Sequence, residues 1–402
     1  MTCKAVNGGK RRREKMYAAR LLSVFKNSPD AGLQPPPEGP NSGYLVLQDE
    51  GPEMAEPTCC WGLCKDTRVR DLPFPQNRIL TIEYTESNGQ STWTYTEVVI
   101  FVPVMDQPLS SNRYYVILVK GKHKGKALTC SKEEDKTTCC FCRCVKDVKP
   151  KPFDHRNIYQ QMEIVGKKGS FTAKSVASDG YPPWLLRRKY WKVYASKPNN
   201  YSLSEASGRN KSMQARPPEL HFTISAMNSP KIAVGKWYIP FVFVKENGSF
   251  EEQMKLSMFY EMSLEQYWEE VYTCENLYGE RKVVEVNSSV RAEMVLLNGR
   301  EAKQDVDRGV DGVLWFKPLD SMEGGIGLSS AIWERMRWEE NREGWVAGEE
   351  KVERVEEYGG VNGWRKFGCY VLVERFALKR MDGSLALIFD FRHTNKIRTK
   401  WE

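Results

Sequence analysis

A short apolar run recurs four times along this chain of 402 residues. Each run combines aromatic, β-branched and other large apolar side chains, which favour β-strands over helices. A proline precedes two of the runs, at Pro108 and Pro230, where it marks a turn or the edge of a sheet. The four runs are Tyr44–Leu47, Tyr114–Val119, Trp237–Val244 and Cys369–Val373. This recurrence predicts a mainly β fold that contains a repeated β unit.

A cysteine-rich pattern occurs twice. Its two copies lie at one constant offset and consist of Thr58, Cys59, Cys60 and Cys64, then of Thr138, Cys139, Cys140 and Cys144. Downstream of the copies, Phe74 corresponds to Phe153 and Asn77 to Asn157. The sequence therefore predicts degenerate repeated β units that pack as a sandwich or a prism.

Further strands and some helices make the predicted fold class α+β and β-rich. Ser249 with Glu252, and Ser263 with Gln266, match the capping box that starts a helix. Ser330 could cap a third helix, and all three helices are predicted as insertions into the β framework. The further strands are predicted at Leu80–Thr85, Val98–Val104, Gln161–Val165, Trp191–Ala195 and His221–Ser225.

The end of the chain predicts a C-terminal β-hairpin. The dipeptide Asp382-Gly383 lies between two strand-like runs, and Asp-Gly in that position is a strong signal for a two-residue hairpin turn. Four apolar residues of the second run share one face, namely Leu385, Leu387, Phe389 and Phe391. The hairpin therefore has an apolar side to bury.

Three regions follow from these patterns. Residues 1–15 are predicted to be a disordered basic extension, and residues 16–248 a β-rich repeat region that holds the cysteine clusters. Residues 249–402 are predicted to hold the helical insertions and the closing β-hairpin, in one continuous structure with the preceding region. Within them, residues 278–312 are acidic and contain several glycines, so we predict a linker and loop there.

The charge is unevenly distributed. Residues 1–240 carry 37 Lys and Arg against 22 Asp and Glu, whereas residues 241–402 carry 23 against 30. Most of the basic excess lies in residues 101–200, with 20 basic and 8 acidic residues. Such a positive field attracts an anionic membrane face, an acidic protein or nucleic acid, and equally the acidic half of the same chain.

No secretory signal and no apolar run long enough to span a membrane occurs in the sequence. We therefore predict a cytoplasmic protein, with the nucleus as an alternative because the chain opens with a short Arg-rich run. In that compartment the cysteines are expected to be thiols or metal ligands rather than disulfides.

Zinc is the cofactor that the cysteine pattern suggests. If the two copies lie together in space, Cys60, Cys64, Cys140 and Cys144 could surround one tetrahedral ion. Two alternatives remain open. The thiols could be buried core residues, because Cys is among the most buried residue types, or exposed thiols next to aromatic and basic residues could be acylated.

A lysine-rich segment is the candidate anion site. If the segment is extended, Lys120, Lys122, Lys124 and Lys126 share one side and form a basic row that can contact phosphate groups. A Walker A loop is excluded because only three residues separate the glycines and Ala127 follows the last lysine. The alternative is a solvated hairpin tip whose lysines prevent edge pairing.

Residues 187–191, Arg-Arg-Lys-Tyr-Trp, mix cations with aromatics. This mixture is typical of single-stranded nucleic-acid and membrane-interface surfaces, although an ordinary amphipathic strand explains it equally well.

Catalytic signatures are absent from the sequence. The four histidines, His123, His155, His221 and His393, lie in unrelated contexts, and no G-x-S-x-G, H-E-x-x-H, kinase or Rossmann motif occurs. An enzymatic role is therefore not favoured.

Several segments resemble a family of plant proteins that is defined only by a domain of unknown function, number twelve sixty-two in its series. They read P-P-P-E-G-P-N-S-G-Y-L-V from Pro35, D-L-P-F-P-Q-N from Asp71, Q-P-L-S-S-N-R-Y-Y-V-I from Gln107, T-T-C-C-F-C-R-C from Thr137, S-M-F-Y-E-M-S-L-E-Q from Ser257, F-G-C-Y-V-L-V-E-R-F from Phe367 and R-M-D-G-S-L from Arg380. The resemblance covers residues 16–402. It implies a plant origin and no established activity, cofactor or catalytic residue.

Together these patterns predict a non-enzymatic binding or scaffold protein. Its basic middle region would contact anionic membrane lipid or an acidic protein partner, with nucleic acid less favoured. The alternative is an enzyme or a metal-dependent regulator that uses the cysteine clusters.

Overall fold

The computed structural model describes most of the chain. The described residues are 16–35, 42–49, 58–59, 64–65, 67–139, 142–196, 203–224, 227–279, 281–310, 312–320 and 324–402. The predicted disordered extension, residues 1–15, lies outside them.

Strands dominate the described residues. In chain order they are β1 (Met16–Leu21), β2 (Ser42–Leu47), β3 (Thr58–Cys59), β4 (Cys64–Lys65), β5 (Arg68–Val69), β6 (Leu80–Ser87), β7 (Thr92–Pro103), β8 (Arg113–Leu118), β9 (Lys136–Cys139), β10 (Cys142–Val145), β11 (Gln161–Lys167), β12 (Ser170–Ser175), β13 (Lys192–Ala195), β14 (Gly208–Arg209), β15 (Ile232–Pro240), β16 (Val244–Glu246), β17 (Phe259–Glu275), β18 (Val283–Arg291), β19 (Glu293–Leu297), β20 (Arg300–Val310), β21 (Val313–Pro318), β22 (Ile326–Ser329), β23 (Glu349–Glu357), β24 (Lys366–Arg380) and β25 (Leu385–Trp401). The α-helices are α1 (Leu22–Asn27), α2 (Trp184–Arg187), α3 (Lys211–Gln214), α4 (Phe250–Leu256) and α5 (Ser330–Arg342). The predicted β-rich class is confirmed.

The larger sheet has twelve strands. Their order is β16-β22-β21-β20-β19-β25-β24-β17-β15-β1-β2, with β14 paired to β15. Three long antiparallel strands, β17, β24 and β25, form its centre. The strands β1 and β2 at one end pair in parallel.

The predicted C-terminal hairpin is confirmed. Strands β24 and β25 pair antiparallel on either side of the Asp382-Gly383 turn, and Gly383 has a φ of 83°, which glycine adopts without steric cost. Leu387, Phe389 and Phe391 are fully buried. Because β25 also pairs with β19, it is an interior strand and not a sheet edge.

The smaller sheet has seven strands in the order β12-β11-β8-β7-β6-β13-β5. It curls until its edges meet, because Phe171 of β12 bridges to Trp191, which precedes β13. The enclosed space is filled by aromatic and aliphatic side chains, among them Phe74, Phe101, Tyr114, Phe171 and Trp191.

Strands β7 and β8 are buried on both faces. Val99 and Phe101 point into the curled sheet, whereas Ile100 and Val102 pack in the core shared with the twelve-stranded sheet. Successive side chains of a strand point to opposite faces, so a strand covered on both sides is apolar at every position. This double burial explains the continuous apolar run Tyr114–Val119.

The predicted loop at residues 278–312 is wrong. Most of the segment is occupied by β18, β19 and β20, and β18 pairs with β23 in a separate two-stranded ribbon. Val284 and Val286 are buried against Trp364 and Phe367. The alternation of valines with charged residues had indicated a half-buried strand, but the acidic composition obscured it.

The predicted helices fare differently. The capping box of Ser249 and Glu252 is confirmed at α4, and the helix predicted at Ser330 is α5, whose N-cap is Ser329. The helix predicted from Ser263 is wrong, because that residue lies within β17. Strand β17 is buried on both faces over much of its length, which removes the period-two signal. Of the strands predicted, His221–Ser225 is not a strand at its described residues, 221–224.

The two cysteine-rich copies form two small antiparallel pairs, β3–β4 and β9–β10. Their registers differ, because Cys59 lies opposite Cys64 whereas Cys139 lies opposite Cys142. The corresponding aromatics also differ in place: Phe74 fills the curled sheet, and Phe153 packs on the core between the sheets. The structure therefore does not confirm repeated prism-like units.

Candidate functional site

The predicted zinc ligands are only partly described. Cys60 and Cys140 lie outside the described residues, and of Cys64 the backbone alone is described, in β4. Cys144 is an exposed thiol in β10 opposite Thr137. Zinc binding at the cysteines stays a prediction.

The lysine segment is a compact turn rather than an extended strand. Gly121 and Gly125 have φ angles of 81° and 80°, and the Gly125 N–H donates a hydrogen bond of 2.6 Å to the Leu118 carbonyl. The expected single row of lysines is therefore wrong in geometry. Anion binding by the four residues stays a prediction.

The lysines of this turn differ in exposure. Lys120 and Lys122 are exposed, whereas Lys124 and Lys126 are half-buried. Lys124 forms an ion pair with Glu251 of α4. Lys120 and Lys122 are therefore the two lysines most accessible to an anionic surface.

The turn lies at the end of the seven-stranded sheet from which the β6–β7 hairpin projects. Strand β8 ends at Leu118, which is paired with Val99 of β7. Beyond that point β6 and β7 continue as a two-stranded hairpin, and residues 91–97 are exposed on both of its faces. The lysine turn is thus at the base of a projecting hairpin.

One face of the hairpin is aromatic. Tyr84 lies directly opposite Tyr95, and Glu86 lies opposite Trp93, so all four side chains share a face. The Trp184 ring of α2 covers this face, with ring centroids 4.7 Å from Tyr95 and 5.9 Å from Tyr84. Trp93 and Tyr95 nevertheless remain 47% and 40% exposed.

The segment 187–191 brings cations to the same face. The Arg188 guanidinium lies 4.7 Å from the Trp184 ring centroid, a cation–π geometry. Lys189 and Tyr190 are exposed, and Tyr190 has a φ of 71°, which a bulky side chain rarely adopts. Trp191 is fully buried. The predicted mixture of cations and aromatics is thus divided between surface and core.

These features define one surface, here named the cation–aromatic surface. Its members are Trp93, Tyr95, Lys120, Lys122, Trp184, Arg188, Lys189 and Tyr190. Three glutamates, Glu83, Glu86 and Glu97, also lie at this end of the sheet, and burial raises the pKa of Glu97. Residues 67–196, which contain the curled sheet, carry 22 Lys and Arg against 12 Asp and Glu.

A second candidate site lies inside the twelve-stranded part and was not predicted. Glu340 of α5, Glu374 of β24 and His393 of β25 are fully buried, and one ligand atom from each lies within 4.8 Å of the other two. His393 Nε2 is 2.8 Å from Glu340 Oε2 and 3.7 Å from Glu374 Oε2. We name these three residues the buried centre.

Amide groups hold the Glu374 carboxylate in place. Gln214 Nε2 donates to both carboxylate oxygens at 2.9 Å, and Gln266 Nε2 donates to Oε1 at 2.5 Å. Burial alone would raise the pKa of Glu374, but hydrogen bonds with His393 and Glu340 outweigh it and lower the pKa to about 2. Glu374 is therefore ionised at neutral pH.

Glu340 has the opposite electrostatics. Burial, reinforced by the charge of Glu374, raises the pKa of Glu340 well above its usual range. Two carboxylates at this separation repel each other when both are ionised. The buried centre is therefore a place where a proton or a cation is favoured.

A weak sequence signal for the buried centre exists. Glu340 follows Ile332 and Met336 at helical spacing on the buried face of α5, and Glu374 interrupts the apolar run of β24. A charged residue at a buried position of an apolar pattern needs a partner. That partner, His393, is remote enough in sequence that only the sheet register identifies it.

None of the helices in the described part of the chain has the length and apolar composition needed to cross a membrane.

Comparisons with known proteins give one family match. A search of curated protein sequences finds no match. The crystal structure of Cry35Ab1 is similar with a TM-score of 0.43 and 10% identity, over 82% of this chain and 90% of that chain. Residues 38–141 match the family model described as "Protein of unknown function (DUF1262)". That match supports a family defined by a domain of unknown function.

Proposed function

We propose that the protein is a non-enzymatic binding protein that attaches to an anionic membrane surface through its cation–aromatic surface. In this proposal it acts in the cytoplasm of a plant cell, as its resemblance and its thiols suggest. The observation that carries the proposal is the projecting hairpin, where exposed Trp93 and Tyr95 lie beside Arg188.

Cations and aromatics contribute in different ways. A lysine or arginine near an anionic leaflet contributes about 1 kcal/mol of attraction. Trp and Tyr settle at the headgroup level, because each has an apolar body and a polar tip. Lys120, Lys122 and Lys189 supply the first contribution, and the hairpin aromatics supply the second.

The shape of the surface favours a membrane over other anionic partners. Residues 91–97 are exposed on both faces of the hairpin, so the aromatics lie on a projection. Single-stranded nucleic acid is usually bound in a basic groove that follows its backbone, whereas a projection can enter a headgroup layer.

Co-sedimentation with vesicles tests this proposal. We expect the full chain to pellet with vesicles of equimolar phosphatidylserine and phosphatidylcholine, and not with phosphatidylcholine alone. Binding should be strong at about 50 mM salt and largely lost at about 500 mM, because salt screens charges at an exposed surface. Trp93→Ala combined with Tyr190→Ala should weaken binding about tenfold, since each ring contributes buried apolar area.

A matched control uses aromatics of another surface. Leu277 and Tyr278 are 80% and 87% exposed far along the chain, and their replacement by alanine should leave pelleting unchanged. No pelleting with anionic vesicles at low salt would overturn the proposal. Binding to an acidic protein without binding to vesicles would instead identify the partner as a protein.

A further inference from the structure

The buried centre lacks the partners that a closed polar network would have. Among the described residues, Oε1 of Glu340 and Nδ1 of His393 have no hydrogen-bond partner although both side chains are fully buried. An unpartnered buried carboxylate oxygen costs desolvation free energy. Most buried polar side-chain atoms have a partner, so this pair of atoms indicates a missing ligand.

The cations that surround the buried centre are paired with other carboxylates. Arg209 forms ion pairs with Glu339 and Glu343, and Arg335 also pairs with Glu339. Lys396 lies 3.7 Å from Glu343. The positive charge that would neutralise Glu340 and Glu374 together is therefore not supplied by these ion pairs.

The donor set and its spacing suit a divalent cation. One imidazole nitrogen and two carboxylate oxygens are the ligand types found in zinc sites with three protein ligands. Atoms that ligate one zinc ion lie about 3 to 4 Å apart, and those of the buried centre lie within 4.8 Å of one another. The two glutamine amides on Glu374 orient one ligand from outside, as the outer hydrogen bonds of metal sites do.

We propose that Glu340, Glu374 and His393 bind one divalent cation of the zinc type. This site is distinct from the one predicted at Cys60, Cys64, Cys140 and Cys144. It joins α5 to the two central strands β24 and β25, so the cation would fasten the helix to the sheet. Metal binding would then stabilise the fold without any part in vesicle attachment.

Metal analysis and thermal unfolding of the full chain test the proposal. Protein expressed with zinc and freed of loosely held metal should contain one zinc per chain by mass spectrometry. Its unfolding midpoint should fall by about 5 °C or more on chelation, the size expected for a ligand near a hundredfold excess over its Kd. Substitution by cobalt should give visible bands without the strong thiolate-to-metal absorption of a cysteine site.

Two variants separate this site from the cysteines. Glu340→Gln keeps the shape and a hydrogen bond to His393 but removes the charge, so it should fold, lose the zinc and lose the response to chelator. A variant with Cys60, Cys64, Cys140 and Cys144 changed to serine should keep both. Zinc that is absent from the wild-type chain, or that survives Glu340→Gln and disappears with the cysteines, would overturn the proposal.

Discussion

Removal of residues 384–402 is expected to leave the protein unable to fold. The deletion takes away β25, which lies between β19 and β24 at the centre of the twelve-stranded sheet. Leu387, Phe389 and Phe391 would leave the core, and each such loss costs about 2 to 5 kcal/mol. Because a whole protein is stable by only about 5 to 15 kcal/mol, we expect insoluble protein on expression.

Point variants within β25 provide the matched comparison for this deletion. Phe389 is fully buried, whereas Leu385 of the same strand is 38% exposed. Phe389→Ala should lower the free energy of unfolding by about 3 to 5 kcal/mol, and Leu385→Ala by clearly less. A truncated chain that is soluble, with a cooperative thermal transition, would contradict the assignment of β25 as an interior strand.

Asp390→Ala is expected to be the most damaging single charge removal on the other face of β25. The fully buried Asp390 accepts two hydrogen bonds of 2.6 Å from Arg375. Burial alone would lower the pKa of Arg375, but bonding to Asp390 raises it overall. The variant therefore leaves an unpaired guanidinium that is largely buried, at a cost of about 3 to 5 kcal/mol in unfolding free energy.

Two companions make the Asp390 measurement specific. The double variant Asp390→Ala with Arg375→Met should recover much of the lost stability, because no buried charge is left unpaired. Glu353→Ala removes an exposed partner 4.0 Å from Lys351 and should change the unfolding free energy by about 1 kcal/mol or less. Chemical denaturation measures all three. If Asp390→Ala proves as mild as Glu353→Ala, the buried pair contributes little.

How far the sequence predicts this fold depends on how each strand is covered. The hairpin at Asp382-Gly383 is predictable because its signal is local. Strand β17 is not, since burial on both faces erases the alternation that identifies a strand. The acidic β18 and β20 were mistaken for a loop because their partners lie elsewhere in the chain, at β23 and β21.

The candidate sites show the same limit. Residues 187–191 were predicted as a cation–aromatic segment, yet the partners Tyr84 and Tyr95 are identified only by the β6–β7 register. For the buried centre the separation is larger still. Glu340 and His393 are 53 residues apart, and their meeting depends on α5 packing across the sheet.

The most direct test of the membrane proposal is a charge-reversal comparison by vesicle co-sedimentation. Changing Lys120, Lys122 and Lys189 to glutamate should weaken binding to phosphatidylserine vesicles by about a hundredfold or more, at about 1 kcal/mol for each lost cation. The control reverses three exposed lysines outside the curled sheet, Lys282, Lys303 and Lys351, and should bind nearly as the wild type does. Equal loss in both variants, or no loss in the first, would contradict attachment through the cation–aromatic surface.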